Sequence, residues 1–317
     1  MKFEYQIIAA FTLDLAAGDP RWMPHPVRFI GRFAAMLEGV SRRYIAAPRL
    51  AGIATALTVI AATAVITWGV VRAAGMFHPL AGDIVAVLVI YTALAGRDLA
   101  DHSGNVCRAL ESGDLAGARQ RVSWMVGRDT GPLDETGIVR AAVESVAENT
   151  VDGVIAPLFY AMVGGPVGAM IYKSVNTLDS TFGYRNERYL EFGWASARSD
   201  DLLNFIPARM AVLFIAAAAF FLRLRAGQVL LIALRDGRKH PSPNSAWAEA
   251  AMAGALGVRL GGPLQRKGKQ EDMPFLGEPL TELKTEHIRQ ANALMFAATG
   301  VAVLIFTGFR ILMAGMW

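Results

Sequence analysis

Residues Leu50 to Val71 carry no charge and are bounded by Arg49 and Arg72. About 20 apolar residues are what a helix needs to cross the hydrocarbon of a bilayer, so this stretch is a membrane crossing. Only helices and closed barrels satisfy their backbone polar groups in lipid. The expectation is therefore an all-α, multi-pass integral membrane protein, with residues 1–317 forming one membrane-embedded domain and polar segments on the cytoplasmic side. Composition agrees: 54% of residues are hydrophobic and 18% charged, against about 25% charged in soluble domains.

Four weaker segments join the first. Ile84 to Gly96 is uncharged but short, and becomes a return limb over 79–96 by recruiting Pro79 onward. Residues 153–172 are uncharged but interrupted by Pro157 and by Gly164-Gly165-Pro166, so a broken or re-entrant helix stands beside a straight span. Residues 202–222 carry one charge, Arg209, and residues 291–309 lie between Arg289 and Arg310. Near the N-terminus Glu4 and Asp14 interrupt the apolar run, which favours a retained helix over a cleaved leader. The single cysteine, Cys107, supports neither a disulfide framework nor a cysteine metal site, and reads as a small apolar filler.

The net charge of +4 does not point to nucleic acid, because the basic residues sit between apolar runs. Residues 21–49 hold Arg21, Arg28, Arg32, Arg42, Arg43 and Arg49 with Glu38 as the one acid, and residues 223–289 are also basic. Both belong on the cytoplasmic face of the cell (inner) membrane by the positive-inside rule. Residues 263–286 are the most polar stretch and read as a mobile loop there.

Four blocks could carry chemistry. In the first, residues 13–32, Asp19-Pro20 and Pro24-His25-Pro26 stop any helix, and His25 and Arg28 project from a rigid segment; an interfacial loop anchored by Trp22 explains the same residues. In the second, Arg140, Glu144, Glu148 and Asp152 recur every four residues and share a helix face, which could hold a divalent cation or be a solvated face with one ion pair.

The third block, residues 173–209, packs Lys173, Asn176, Asp179, Tyr184, Arg185, Asn186, Arg188, Arg198, Asp200, Asp201 and Asn204 between apolar segments. Its arginines suit phosphate or carboxylate and its Asp200-Asp201 pair suits Mg²⁺; pairing among themselves is the plainer account. In the fourth, residues 235–263, a rigid His240-Pro241-Ser242-Pro243-Asn244 turn precedes a helix that Ser245 is placed to cap. Arg238, Lys239 and His240 there suit an anion or lipid headgroups. No phosphate-binding GxxxxGK[ST] loop, GxGxxG, HExxH or GxSxG is present.

The strings GDPRWMPHPVRFIG, AENTVDGVIAPLFYA, NTLDSTFGYRNERYLEFGWASARSDDLLNFIPAR and DGRKHPSPNSAWAEAAMAGALGVRLGGP, in that order, resemble the adenosylcobinamide-phosphate synthase family, cobalamin-biosynthesis membrane proteins of the CobD/CbiB type. One departure follows Gly261-Gly262-Pro263, where LQRKGKQEDMP replaces a segment ending in aromatic residues and glycine.

The resemblance implies an ATP-dependent acid–amine ligase. Such an enzyme couples adenosylcobyric acid, through its f-propionate, to (R)-1-aminopropan-2-ol or its O-phosphate, with ATP and Mg²⁺. The expected catalytic candidates are His25, His240, Glu148 and Asp179, with a histidine as general base. Arg28, Lys173, Asn176, Tyr184, Arg185, Asn186, Arg188, Arg198, Asn204, Arg238 and Asn244 would bind substrate or phosphate, and Glu144, Glu148, Asp152, Asp200 and Asp201 the metal. Partners would be these substrates and the bilayer, no nucleic acid, with room for a homo-oligomer or other corrinoid-assembly membrane enzymes.

Because ATP is cytoplasmic, residues 153–172 are expected not to deliver residues 173–204 into external water. Two other classes compete: a corrinoid or cobalt transporter, and a Mg²⁺-dependent intramembrane prenyltransferase.

Overall fold

The computed structural model describes residues 2–20, 22, 24–184 and 186–315, with side chains as far as Leu312. Helix dominates, as expected, with two small two-stranded ribbons. Among the described residues four helical stretches could cross a membrane by length and composition: Pro48–Phe77, Pro79–Glu111, Glu135–Phe182 and Glu286–Leu312, with a fifth if Trp194–Leu203 and Phe205–Phe221 count together. The chain divides into two compact units interleaved in sequence, one comprising residues up to Ala95, Ala156–Asn204 and the chain from Val303 on, the other Gly96–Ile155 and Phe205–Ala302.

The first unit contains α1 (Phe3–Ala17), α2 (Pro26–Tyr44), α3 (Pro48–Phe77), α4 (Pro79–Tyr91), α8 (Ala156–Phe182) and α9 (Trp194–Leu203). Helices α2, α3 and α4 each begin on proline, whose fixed φ and missing N–H suit the first helical position. The polar face of α1 is buried: Gln6 Nε2 donates to Asp83 Oδ1 of α4 at 3.1 Å.

Helix α8 is broken where the sequence is weakest. Gly165 has φ +60°, a left-handed conformation costly for any residue with a Cβ, and Gly164 is also non-helical. In a straight helix Tyr160 and Tyr172 would lie about 18 Å apart along the axis. Instead their rings stack 5.3 Å apart at 9°, so the chain doubles back at Gly164–Gly165. A Cβ on Gly168 would fall 2.3 Å from the Tyr160 carbonyl oxygen, so the returning limb needs glycine there. Residues 153–172 are thus broken rather than straight, at the expected Gly164-Gly165 position.

The segment after α8 is tied to α2. Glu38, buried on α2, accepts from Arg188 Nη2 at 3.0 Å and from Arg42 Nε at 2.9 Å, while Arg42 also donates to the Arg188 carbonyl at 2.8 Å. The arginine-rich α2 and the loop carrying Arg188 therefore lie against one another.

The second unit contains α5 (Gly96–Glu111), α6 (Leu115–Ser123), α7 (Glu135–Thr150), a π-turn (Val151–Ile155), α10 (Phe205–Phe221), α11 (Ala226–Asp236) and α12 (Ser245–Leu256). The first part of α13 (Glu286–Gly315) completes it, held to α5 by Ser103 Oγ donating to Asn292 Oδ1 at 2.9 Å. Strand β1 (Arg259–Gly261) pairs with β4 (Phe275–Gly277), and β2 (Leu264–Arg266) with β3 (Lys269–Glu271), both antiparallel.

Part of the stretch read as a mobile loop is therefore ordered. Lys267 and Gly268 both have positive φ, the backbone of a tight two-residue hairpin, and Asp129 accepts their N–H groups at 3.1 and 2.7 Å. Fully buried Asp236 would be raised by burial, but hydrogen bonds from Arg235, Lys239 and the Gly277 N–H hold it well below the usual carboxylate range, tying α11 to β4.

A cysteine introduced at exposed Glu187 in a Cys107→Ser background should resist a membrane-impermeant maleimide in intact cells and react after permeabilisation. Ready labelling from outside would refute the expected exclusion of residues 173–204 from external water.

Candidate functional site

In the second unit the four-residue series of α7 is half kept. The α-helical register aligning Arg140, Glu144 and Glu148 ends at Thr150, and Asp152 lies in the π-turn. Buried Glu144 is fully engaged: Arg128 donates to it in a close ion pair, and the Gly261 N–H donates to its Oε1 at 2.6 Å. Arg140 Nη1 reaches the Gly261 carbonyl at 3.5 Å, so α7 grips β1 by both backbone groups of one residue.

Glu148 is solvent-exposed, and its Oε1 accepts from Ser245 Oγ, on α12, at 3.1 Å. Four residues along α12 from Ser245, on the same face, stands half-buried Glu249. Burial, then the charges of Glu144 and Glu148, push its carboxyl well above the usual range, with Arg128 partly offsetting them. Three glutamates thus crowd together, and one is committed to Arg128. The remaining negative charge has to be met by a proton or a cation. Among the described residues no three Asp, Glu, His or Cys side chains are grouped so that they alone could hold a metal ion. Two carboxylates nonetheless suffice for Mg²⁺ when phosphates and water complete its shell.

Glu249 was not among the expected site residues. Its one sequence signal is being the only charged residue of an otherwise small and apolar helix, which is buried almost throughout.

The turn before α12 is built on side-chain acceptors. Proline has no N–H, so the first free donor after His240-Pro241 belongs to Ser242, and it donates to His240 Nδ1 at 3.0 Å. Val27 N–H meets His25 Nδ1 at 3.4 Å and Leu80 N–H meets His78 Nδ1 at 3.2 Å in the same way. Nδ1 of each ring thus faces a backbone N–H: His25 is the N-cap of α2, whereas His240 braces the turn that precedes α12. Ser245 is not the cap expected of it: it begins α12, and Ser242 Oγ receives the N–H groups of Asn244 and Ser245 at 3.4 and 3.5 Å. Asn244 Oδ1 accepts from Arg209 Nη1 at 3.0 Å, and the Arg209 guanidinium lies 3.6 Å over the Phe205 ring. Lys239 is held by Asp236 at 2.6 Å, leaving exposed Arg238 as the turn's outward cation.

The first unit carries a separate polar face. Buried Asn204 takes a hydrogen bond from Tyr172 Oη at 2.9 Å and gives one to Asp200 Oδ2 at 2.9 Å. Asp201 pairs with Arg198 at 3.2 Å. Lys173, Asn176 and Asp179 follow at three-residue spacing along the returning limb of α8, all half-buried. Tyr184, Asn186 and Arg28 are exposed, Asn186 Oδ1 receiving the Tyr189 N–H at 3.0 Å. Arg188 is engaged by Glu38, and His25 Nε2 lies 3.5 Å from Asp19 Oδ2. Arg185 lies outside the described residues.

The expected residues thus divide: Glu144, Glu148, Asp152, Arg238, His240 and Asn244 belong to the second unit, the others described to the first. Of the expected metal ligands, Asp200 and Asp201 are in a different unit from the three on α7 and the π-turn.

A family model described as CobD/Cbib protein matches residues 7–295. The "Cobalamin biosynthesis protein CobD" of Geobacter metallireducens is 50% identical over 94% of this chain and 94% of its own length. That of Pelobacter propionicus is 48% identical over 97% of this chain and 95% of its own. The "Cobalamin biosynthesis protein CbiB" of Salmonella arizonae is 44% identical over 97% of each. No solved structure matches.

The bond that braces this turn is checked by thermal unfolding of the purified protein. His240→Ala should cost about 1 kcal/mol, the usual net worth of such a hydrogen bond, whereas His240→Asn, whose Oδ1 replaces Nδ1, should stay within about 0.5 kcal/mol of the parent. Equal losses would remove the bracing role of the ring.

Proposed function

Because the chain belongs to the CobD/Cbib family, we propose that it makes an amide in cobalamin biosynthesis. In this reading it joins the f-propionate of adenosylcobyric acid to (R)-1-aminopropan-2-ol or its O-phosphate, yielding adenosylcobinamide or its phosphate. The observation that supports a ligase reading is the surplus of carboxylate at Glu148 and Glu249 beside the Ser245 hydroxyl.

The chemistry sets three demands. A carboxylate is a poor acyl donor and must be activated, most simply as an acyl phosphate; the incoming amine, an ammonium at neutral pH, must lose a proton; and the charge on phosphate must be neutralised. ATP would supply the phosphoryl group and Mg²⁺ would neutralise its charge. The donor set fits the cation: Glu148 and Glu249 are hard oxygen ligands with no basic side chain hydrogen-bonded to either among the described residues, whereas Glu144 is spent on Arg128 and Gly261. Burial and its neighbours hold the Glu249 carboxyl above the ordinary carboxylate range in the absence of a cation, so a cation bound there would displace its proton. Exposed Arg238, beside the turn that leads into α12, is placed for an anion. On the first unit Lys173, Asn176, Asp179 and Arg198 remain candidate substrate contacts.

Mass spectrometry of corrinoids from a strain lacking this gene tests the reaction. Accumulated cobyric acid with no cobinamide is the expected result; normal cobinamide with impaired corrinoid uptake would point to transport instead.

Glu249→Gln should abolish complementation while stabilising the fold at neutral pH. A carboxyl whose folded pKa is raised contributes stability that is fully present below its unfolded pKa and is lost as pH rises through the folded value. Glutamine cannot lose it, so the variant's advantage in thermal unfolding should be absent near pH 4 and grow through neutral pH. A variant equal to the parent in activity would remove Glu249 from the chemistry.

A further inference from the structure

The second unit holds a recess of about 300 Å³ that none of the four blocks explains. It lies where α10 ends, α11 begins and α13 starts, and its lining includes Arg223, Arg225 and Lys284 as well as Glu282 and Glu286. Its size is at the lower end for small-molecule sites, about 300–1,000 Å³.

Three features make it more than a solvated surface. First, among the described residues the side chains of Arg223, Arg225 and Lys284 have no hydrogen bond or ion pair, although two acids line the same recess. A surface that merely neutralised itself would pair them. Second, Arg223 stands in a left-handed conformation, φ +56°, just past the end of α10, a position that glycine fills at lower cost. The N–H of Leu224 closes that helix end on the Ala219 carbonyl at 2.8 Å, so the backbone there is ordered and directs an arginine where a smaller residue would serve. Third, the recess sits at an apolar boundary. Phe220 and Phe221 at the end of α10 are 70% and 71% exposed, and α13 starts the final candidate crossing. Exposed aromatic rings followed at once by unpaired cations are the arrangement of a helix end at the headgroup level.

We propose that this recess binds a phosphate group at the membrane–water boundary, with Arg223, Arg225 and Lys284 as its ligands and Glu282 and Glu286 limiting the charge it accepts. The chemistry is that of a phosphate mono- or diester, whose source is an anionic phospholipid headgroup or a soluble phosphate. The site is separate from Glu148 and Glu249 and does not depend on the reaction assigned to them.

The test uses the full-length protein in detergent and in nanodiscs. Native mass spectrometry would compare retention of phosphatidylglycerol with that of phosphatidylcholine, and calorimetry would follow inorganic phosphate. The charge-removing set is Arg223→Asn, which tolerates the left-handed backbone, with Arg225→Gln and Lys284→Gln. Each lost charge should weaken binding about fivefold. Glu282→Gln with Glu286→Gln, which removes the opposing acids, should strengthen it, so the proposal remains testable if the triple variant fails to fold. Preferential retention of phosphatidylglycerol that the triple variant loses supports the site and assigns it to lipid. Phosphate binding that the same variant weakens supports it and assigns it to a soluble ligand. Binding of neither, or binding unchanged by both sets of variants, overturns it.

Discussion

The reversal at Gly164–Gly165 is the constraint on which the first unit is built. A backbone that turns within an apolar stretch must be covered by protein, and here the returning limb lies so close that the Tyr160 carbonyl leaves room only for glycine at residue 168. Stacking Tyr160 on Tyr172 sets the two limbs in register. Tyr172 then orients Asn204, and Asn204 orients Asp200. Without the turn an apolar stretch of this length would run on through the bilayer; with it, the polar loop of Arg188 comes back to rest on Glu38 of the basic helix α2.

Electrostatics organises the second unit in a different way. Most of its buried or half-buried charges are matched: Asp236 by Arg235 and Lys239, Glu144 by Arg128. Leaving a buried carboxylate unmatched costs several kcal/mol or forces a proton onto it. Glu249 is the residue at which that matching stops, on a helix otherwise made of small apolar residues. An unmatched acid beside an exposed one, linked to a serine hydroxyl, fits a place where charge arrives with a ligand.

The histidines show that one residue type can serve two purposes. An imidazole titrating near neutral pH suggests a base, the role the sequence suggests for His25 and His240. Three His-Pro pairs place the ring nitrogen against the first available N–H after a proline. The proline that makes the segment rigid also creates the donor that occupies the histidine. Both facts are in the text of the chain, but the hydrogen bond that joins them is a matter of backbone direction.

Periodicity and charge-free length were enough to determine an all-helical membrane protein, its longest crossings, the weak point in residues 153–172 and the family, because these depend on hydrophobicity and on local strings. The spacing of Arg140, Glu144 and Glu148 likewise placed them on one face. The tertiary structure alone decided that Glu144 is consumed by Arg128 and Gly261, that Arg188 serves Glu38, that Lys267-Gly268 closes a hairpin in the polar stretch, and that Glu249 stands with the acids of α7. Each of these joins residues far apart in the chain, and whether a charge is paired or left over depends on which distant partner the fold brings to it.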